Sequence, residues 1–244
     1  MSWSVGIPTM NRLSYLKEAV DTVLSQTLQC DRIIISDNGS TDGTYEYCMN
    51  LDPSKFLYLR SEKNLGAWRN WCNCLNHADS DYFSWLQDDD LLCCDFGAKT
   101  IDILNDNSAS VAALGFAIRT SNKNRPVAPN SWLWGAAVPL DFLSRKAQYF
   151  QLLELWPWIL LNTVGFSPTA MFKTKYLKKA KSKIEKSNLG VTTSIFNERL
   201  WIAYLNTMGS IAIIPEVFGI LREHPGEMNI ELAKRESLRE STSG

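Results

Sequence analysis

Short apolar runs alternate, over the first hundred residues, with segments whose apolar positions recur every three or four residues. "WSVGI" predicts a strand ended by Pro8, and "RLSYLKEAVDTVLSQ" places Leu13, Leu16, Val20, Val23 and Leu24 on one helical stripe. "RIIIS" is the continuous apolar run of a strand buried on both faces. The turn cluster "DNGSTDGT" and a short helix at "YEYCMN" follow it. "KFLYLR", "GAWRNWCNCLNHA" and "DYFSWLQ" continue as strand, helix and strand. Strand alternating with helix predicts a parallel α/β sheet with right-handed crossovers.

The second half has a looser rhythm. A helix is predicted near residues 94 to 106, then a strand at "VAALGFAIRT" and a polar loop at "SNKNRPVAPNSWLWG". Helical material is expected over about residues 140 to 162, a strand at "TAMFK", and a basic amphipathic stretch at "KYLKKAKSKIEK". "FNERLWIAYLNTMG" reads as a helix closed by Gly209, and "SIAIIPEVFGIL" as a last strand. The expected organisation is one domain over residues 1–244. Residues 1–105 form its ligand-binding half, 106–229 a second half that shapes another pocket, and 230–244 a polar tail.

Composition narrows the class. The chain has 244 residues, 45% hydrophobic and 21% charged, with a net charge of −1. That is enough to bury a core, and it offers no basic surface for nucleic acid. Six cysteines without CxxC spacing and only two histidines, His77 and His224, exclude the common structural zinc patterns. Cys72, Cys74, Cys93 and Cys94 are expected to fill core space, and His77 to end a helix. Free thiols behind no recognisable export signal predict a reducing compartment, the cytoplasm. The most apolar segment, residues 150 to 166, contains Glu154, Pro157 and Asn162. It falls short of the ~20 apolar residues of a spanning helix. It reads as a core helix broken at Pro157, with a membrane-surface patch at Trp156 and Trp158 as the other reading.

Open α/β sheets bind ligands beyond the carboxyl ends of their strands. Four such ends here carry polar groups: "PTMNR", "DNGSTD", "NLGAWRN" and "QDDD". Asp37 closes an apolar strand before Asn38-Gly39, and a carboxylate can accept from the imide N–H of uracil or thymine. Helix capping by Asp42 or Ser40 is the plainer use of that cluster. Pro8 and Thr9 could bring backbone to a base or ribose, or simply end a strand. Gly66 and Asn70 permit close approach to a ligand, or mark a helix start. Asp88, Asp89 and Asp90 repel one another unless water or a cation compensates them, and a solvated helix N-terminus would also accommodate them.

The ordered set "IPTMNR", "SDNGSTDGT", "NLGAWRN", "WLQDDDLL" resembles the nucleotide-sugar glycosyltransferases of GT-A fold, family 2, over residues 3 to 105 and again over 195 to 229. The resemblance implies an α/β, Rossmann-like mixed and mainly parallel sheet flanked by helices. It implies inverting transfer of a sugar from a UDP- or dTDP-sugar to a glycan or undecaprenyl-linked hydroxyl, in bacterial surface polysaccharide synthesis such as O-antigen or capsule. Nucleotide-sugar contacts then fall on Pro8, Thr9, Asn11, Arg12, Asp37, Asn38, Gly66, Asn70, Gln87, Asp88, Asp89 and Arg222. A Mg²⁺ or Mn²⁺ ion falls on Asp89, with Asp90 and His224 beside it.

Gln87 departs from the family's commoner D-x-D-D run, so either its amide or Asp88 meets the ribose. Glu198 falls where the family places its catalytic base, more often an aspartate, at the start of a helix. No Q-x-x-R-W run of processive synthases is present, which implies single additions. Work at the inner membrane face, as a peripheral protein, is a further expectation. Two other classes share the sheet: a sugar-nucleotide pyrophosphorylase, which needs a basic Gly-rich loop after the first strand, and a nucleotide-binding domain without transfer.

Overall fold

The computed structural model describes residues 1–121, 147–151, 169–187 and 194–223. Among the described residues, nine strands form one sheet in the order β3-β2-β1-β4-β8-β6-β9-β5, with β7 added beside β9. The strands are β1 (Trp3–Thr9), β2 (Arg32–Asp37), β3 (Phe56–Arg60), β4 (Tyr82–Trp85), β5 (Leu91–Leu92), β6 (Ser110–Ser121), β7 (Gln148–Phe150), β8 (Ala170–Lys173) and β9 (Ser210–Glu223). Helices α1 (Leu13–Leu24), α2 (Thr44–Met49), α3 (Ala67–Asn76), α4 (Phe96–Asp106), α5 (Thr174–Lys186) and α6 (Ser194–Asn206) connect and cover them.

The longer ladders are parallel: β1 with β2 and β4, β2 with β3, and β6 with β9. Short antiparallel pairings at β8, β5 and β7 make the sheet mixed, as expected.

Alternation along the buried strands sends side chains to two cores. Ile33 and Ile35 pack with α1 and α4 residues such as Leu16, Val20, Phe96 and Leu104 on one face. Ile34 turns to the other, among Cys74 of α3, Leu177 of α5 and Ile202 of α6. At the centre of this second core, Trp85 lies 5.5 Å from Trp71 and 5.3 Å from Trp201, ring centroid to centroid. Trp68 stacks on Trp201 at 5.6 Å, so one aromatic cluster joins α3, β4 and α6.

Several expectations are corrected. β1 runs through Pro8 to Thr9 rather than ending there. The Gly6 carbonyl faces β4, accepting Leu86 N–H, and Gly6–Trp85 is the last pair with that strand. Two residues on, Pro8 faces the same side beyond the last pair, where its missing N–H costs nothing.

On α1 the buried stripe is Leu16, Ala19, Val20 and Val23, while Leu24, the last helical residue, is exposed. Residues 148–150 are a strand against β9, not helix. Cys94 is exposed and Cys93 half-buried, although Cys30, Cys48, Cys72 and Cys74 do lie in the core. His77 ends α3 with Nδ1 beside the Asn73 carbonyl at 2.9 Å.

The loop at 122–135, the tryptophan pair at 156 and 158, His224 and the tail at 230–244 lie outside the described residues. No helix among the described residues is long and apolar enough to cross a membrane.

Candidate active site

The carboxyl ends of β1, β2 and β4 meet at Thr9. Its carbonyl accepts the Asn38 N–H at 3.0 Å and Asn70 Nδ2 at 3.3 Å, and its hydroxyl donates to Asp88 Oδ2 at 2.7 Å. Asn70 also accepts from the Ser36 hydroxyl, so this buried amide clamps β1 to β2. The connection from β1 to α1 is only three residues, Met10 to Arg12. Asn11 turns it with a positive φ of 54°, a conformation asparagine tolerates. The Asn11 N–H donates to Ser40 Oγ, and its Oδ1 accepts from Thr41 N–H at 2.8 Å. The loops after β1 and β2 thus share one scaffold.

Asp37 ends β2 fully buried. Its Oδ1 accepts the Ser40 N–H at 2.8 Å and its Oδ2 the Tyr58 hydroxyl at 2.7 Å, with Arg60 Nε 3.8 Å away. Burial, then the bond to Asp37, pushes the Tyr58 phenol far above its ordinary pKa, so it stays a donor. The adjacent capping job falls to Asp42, which accepts from Leu13 N–H at the start of α1 and from Thr44 at the start of α2. Asn38 reaches outward: its Nδ2 donates to Asn64 Oδ1 and its Oδ1 accepts Leu65 N–H, both at 2.8 Å. Gly66 follows with φ of 87° and open space where a Cβ would be, at the mouth of this loop.

Gln87 to Asp90 form the turn between β4 and β5, closed by Asp90 N–H to the Gln87 carbonyl at 3.1 Å. Gln87 is half-buried, whereas Asp88, Asp89 and Asp90 are all buried. Two arginines answer them. Arg12 Nη1 lies 3.1 Å from Asp88 Oδ1 and 2.6 Å from Asp89 Oδ2. Arg222, near the end of β9, donates its N–H to Asp90 Oδ1 at 3.2 Å and its Nε to the Asp89 carbonyl. It also pairs with Glu18 and stacks 4.8 Å over the Tyr15 ring, both on α1.

Burial, then the neighbouring Asp89, pushes the Asp88 carboxyl up to about 6, against the pull of Arg12. The same two causes raise Asp90 well above the usual carboxylate range. Asp90 Oδ2 is buried with no hydrogen-bond partner among the described residues. This acidic turn is short of positive charge, and it has an acceptor left to offer.

The donor set suits a hard cation such as Mg²⁺ or Mn²⁺, which takes carboxylate oxygens together with substrate phosphates. Among the described residues no group of three His, Cys, Asp or Glu side chains is arranged to hold an ion by itself. Asp89 and Asp90 would therefore hold it with help from outside that set. Glu198 is the fifth residue of α6 and so lies in its second turn, deeper in the helix than expected. Its side chain is outside the described set. Trp201, one turn further on, is buried in the aromatic cluster.

Sequence reading missed Tyr58, Glu18 and Tyr15, and it offered Ser40 only as a helix cap, whereas its N–H holds Asp37 and its hydroxyl accepts from Asn11. Tyr58 had a usable signal. Aligning the ends of β2 and β3 pairs Asp37 with Arg60, which puts Tyr58 on the same face two residues earlier.

The family model for glycosyl transferase family 2 matches residues 4–179. The chain belongs to that family. It is 32% identical over 118 residues to an uncharacterised glycosyltransferase of Rickettsia prowazekii, covering 47% of this chain and 36% of that protein. The abequosyltransferase of Salmonella typhimurium is 38% identical over 97 residues, which is 38% of this chain and 29% of that one. A Campylobacter jejuni β-1,3-glucosyltransferase, named for a GalNAc-containing, undecaprenol-linked substrate, is 34% identical over 92 residues, 36% of this chain and 30% of that enzyme. The matched segments thus span about a third of these relatives' length. Staphylococcus aureus TarS residues 1–349, solved with UDP-GlcNAc, shares the fold at a TM-score of 0.67 and 18% identity, covering 93% of this chain and 60% of that one.

Proposed function

We propose that this family 2 chain transfers a sugar, with inversion, from a UDP- or dTDP-sugar to a hydroxyl on a glycan or an undecaprenyl-linked acceptor. Surface polysaccharide synthesis is the setting, at the inner membrane face. The observation that carries the reading is the acidic turn: three buried carboxylates at the end of β4, tied through Thr9 to the ends of β1 and β2. A diphosphate leaving group develops negative charge, and buried carboxylates beside it would hinder departure unless a cation intervenes. Asp89 and Asp90 would hold Mg²⁺ or Mn²⁺, with His224 as a further ligand, and the ion would supply charge neutralisation of the departing diphosphate.

The chain's own groups do the rest. Asp37, fixed in its buried position by Tyr58 and Ser40, marks the base pocket. Pro8, Thr9, Asn11, Asn38, Gly66 and Asn70 line the path from base to ribose, where Asp88 or Gln87 meets the sugar hydroxyls. Arg12 and Arg222 face the phosphates. Glu198 takes the proton of the attacking hydroxyl. The names of relatives support this reading: one is an abequosyltransferase, another acts on an undecaprenol-linked substrate, and a protein of the same fold was solved with UDP-GlcNAc. A pyrophosphorylase reading is disfavoured by the three-residue β1–α1 connection, too short for a Gly-rich phosphate loop.

Incubation with a panel of nucleotide sugars tests the proposal. Slow release of UDP or dTDP is expected only with Mg²⁺ or Mn²⁺, reversibly blocked by chelator and abolished in Asp89→Asn with the fold intact. Full activity in chelator removes the cation from the reading. Release from no pyrimidine nucleotide sugar, with or without acceptor glycans, overturns it as a transferase.

A further inference from the structure

The basic amphipathic stretch of the sequence is helix α5, and the donor site leaves its outer face unused. Residues 173–186 carry seven lysines and one glutamate, a net charge of +6 in a chain of net charge −1. Leu177, Ala180 and Ile184 turn inward, in one core cluster with Trp201, Ile202 and Leu205 of α6. On the opposite side, Lys175, Lys179, Lys183 and Lys186 fall within an arc of about 80° at 3.6 residues per turn. All four are exposed. They make a straight row about 16 Å long at the helical rise.

This row does not serve the helix itself. Lys175 with Lys179, and Lys179 with Lys183, are like charges four residues apart, which repel. Lys175 also stands in the first turn, where the helix dipole disfavours a cation. The ion pairs of α5 among the described residues use its other lysines, Lys181 with Glu185 at 2.7 Å and Lys178 with Asp79 at 4.0 Å. Aromatic rings edge the row instead. Lys175 and Lys179 lie 4.9 and 5.7 Å from the centre of the Tyr176 ring, and Lys183 lies 6.0 Å from that of Tyr204 on α6. Both tyrosines are half-buried. A row of cations bordered by tyrosines matches an anionic bilayer surface, where lysines meet headgroup phosphates and tyrosines sit between water and hydrocarbon. A nucleic acid would need basic surface beyond one row, and the rest of the chain is net negative.

The helix is also placed to present the site to a bilayer. Thr174 N–H donates to the Asp81 carbonyl at 2.9 Å, so α5 begins at the N-terminal end of β4. Its later turns climb toward the opposite end. There Lys181 and Glu185 line one cavity with Asn70, the amide bonded to the Thr9 carbonyl. Its inner face packs on α6, the helix that carries Glu198. Resting on the lipid-linked acceptor of the reading above, we propose that the outer face of α5 docks on an anionic phospholipid surface. Lys175, Lys179, Lys183 and Lys186 supply the attraction, Tyr176 and Tyr204 settle at the headgroup level, and α6 is held beside an acceptor that the bilayer carries.

Co-sedimentation of the whole chain with vesicles tests this, using phosphatidylcholine alone or mixed with phosphatidylglycerol, at low and high salt. Wild type should bind the mixed vesicles only, and high salt should release it by screening. Each lysine at such a surface strengthens binding about five-fold. Lys175→Gln with Lys183→Gln should therefore weaken binding on the order of 25-fold, and glutamine at all four positions by roughly several hundred-fold. Glutamine forms helix about as well as lysine, and the double variant serves if the quadruple one does not fold. The same charge change at Lys17 and Lys99, on other faces, should weaken binding by less than about five-fold. Release of UDP from a nucleotide sugar without vesicles should be unchanged in the quadruple variant. Binding to neither vesicle, equal binding to both, or equal losses from the Lys17 and Lys99 pair overturns the proposal. So does retention of a DNA duplex that depends on the four lysines while vesicles are ignored. These results leave the transferase reading standing. Absence of diphosphate release from every pyrimidine nucleotide sugar overturns that reading whatever the vesicles show, so the two failures are distinct.

Discussion

The backbone N–H of Arg222 donates to Asp90 Oδ1 across a separation of 132 residues, so the last strand holds the acidic turn from behind. The same arginine reaches Glu18 and Tyr15, which fastens α1 to that turn. Arg222→Ala keeps the backbone bond but removes the guanidinium, leaving the Asp89 carbonyl and Glu18 without it. A loss of about 1–3 kcal/mol is expected, read as a fall in Tm of roughly 3–10 °C for a domain of this size. UDP affinity should fall with it. Arg222→Lys should recover part of the charge but not the stacking, and a thermal melt equal to wild type for Arg222→Ala would show that the contacts are dispensable.

On the proposed reading, base choice follows from Asp37. With its carboxylate fixed by Ser40 and Tyr58, the protein should bind UDP or dTDP more tightly than GDP in calorimetry. Tyr58→Phe removes the donor to a buried oxygen. It should cost about 1–2 kcal/mol of stability and weaken UDP binding without improving GDP binding. Equal binding of UDP and GDP, unaffected by Asp37→Ala, would contradict the assignment.

Glu198→Gln preserves shape and removes the proposed base. Turnover should drop on the order of 10²-fold or more, with UDP affinity unchanged, because the acceptor proton is lost only in the chemical step. Near wild-type transfer by this variant would place the base elsewhere.

The thiols give a pH prediction. Burial pushes Cys30 up to about 11, and Cys48 and Cys72 up to about 12. Their pKa values are higher folded than unfolded, so the stabilisation is complete below about pH 8.5, the ordinary thiol value. It is lost as pH rises toward 11 to 12. Urea melts should show stability declining across that alkaline window. At neutral pH a thiol reagent should modify exposed Cys94 quickly and the core thiols only on unfolding.

The first half of the fold was legible because its elements are local. β1 to β4 carry continuous apolar runs or alternation, and Gly43 and Gly66 punctuate the helices after β2 and β3. The second half hides its logic. β5 has two residues and β7 three, too few for any period to show, and both exist because β9 offers them an edge. β6 and β9 bend where register shifts between Leu114 and Ala117, and there Gly115 makes room for the Phe218 ring. The site divides the same way. Asp88 to Asp90 are adjacent in sequence and announce themselves, whereas the partnership of Arg222 with Glu18 spans 204 residues and has no local trace.

The aromatic cluster of Trp68, Trp71, Trp85 and Trp201 has an optical consequence. Indoles with centroids 5.3 to 5.6 Å apart share their electronic excitations, so their near-ultraviolet absorption becomes a coupled, chirally signed band. That band depends on the mutual orientation of α3, β4 and α6. The strand that leads into the acidic turn and the helix that carries Glu198 are thereby wired to one spectroscopic signal. A ligand or substitution that tilts α6 against the sheet changes its sign or amplitude, while one that acts on the acidic turn alone leaves it untouched.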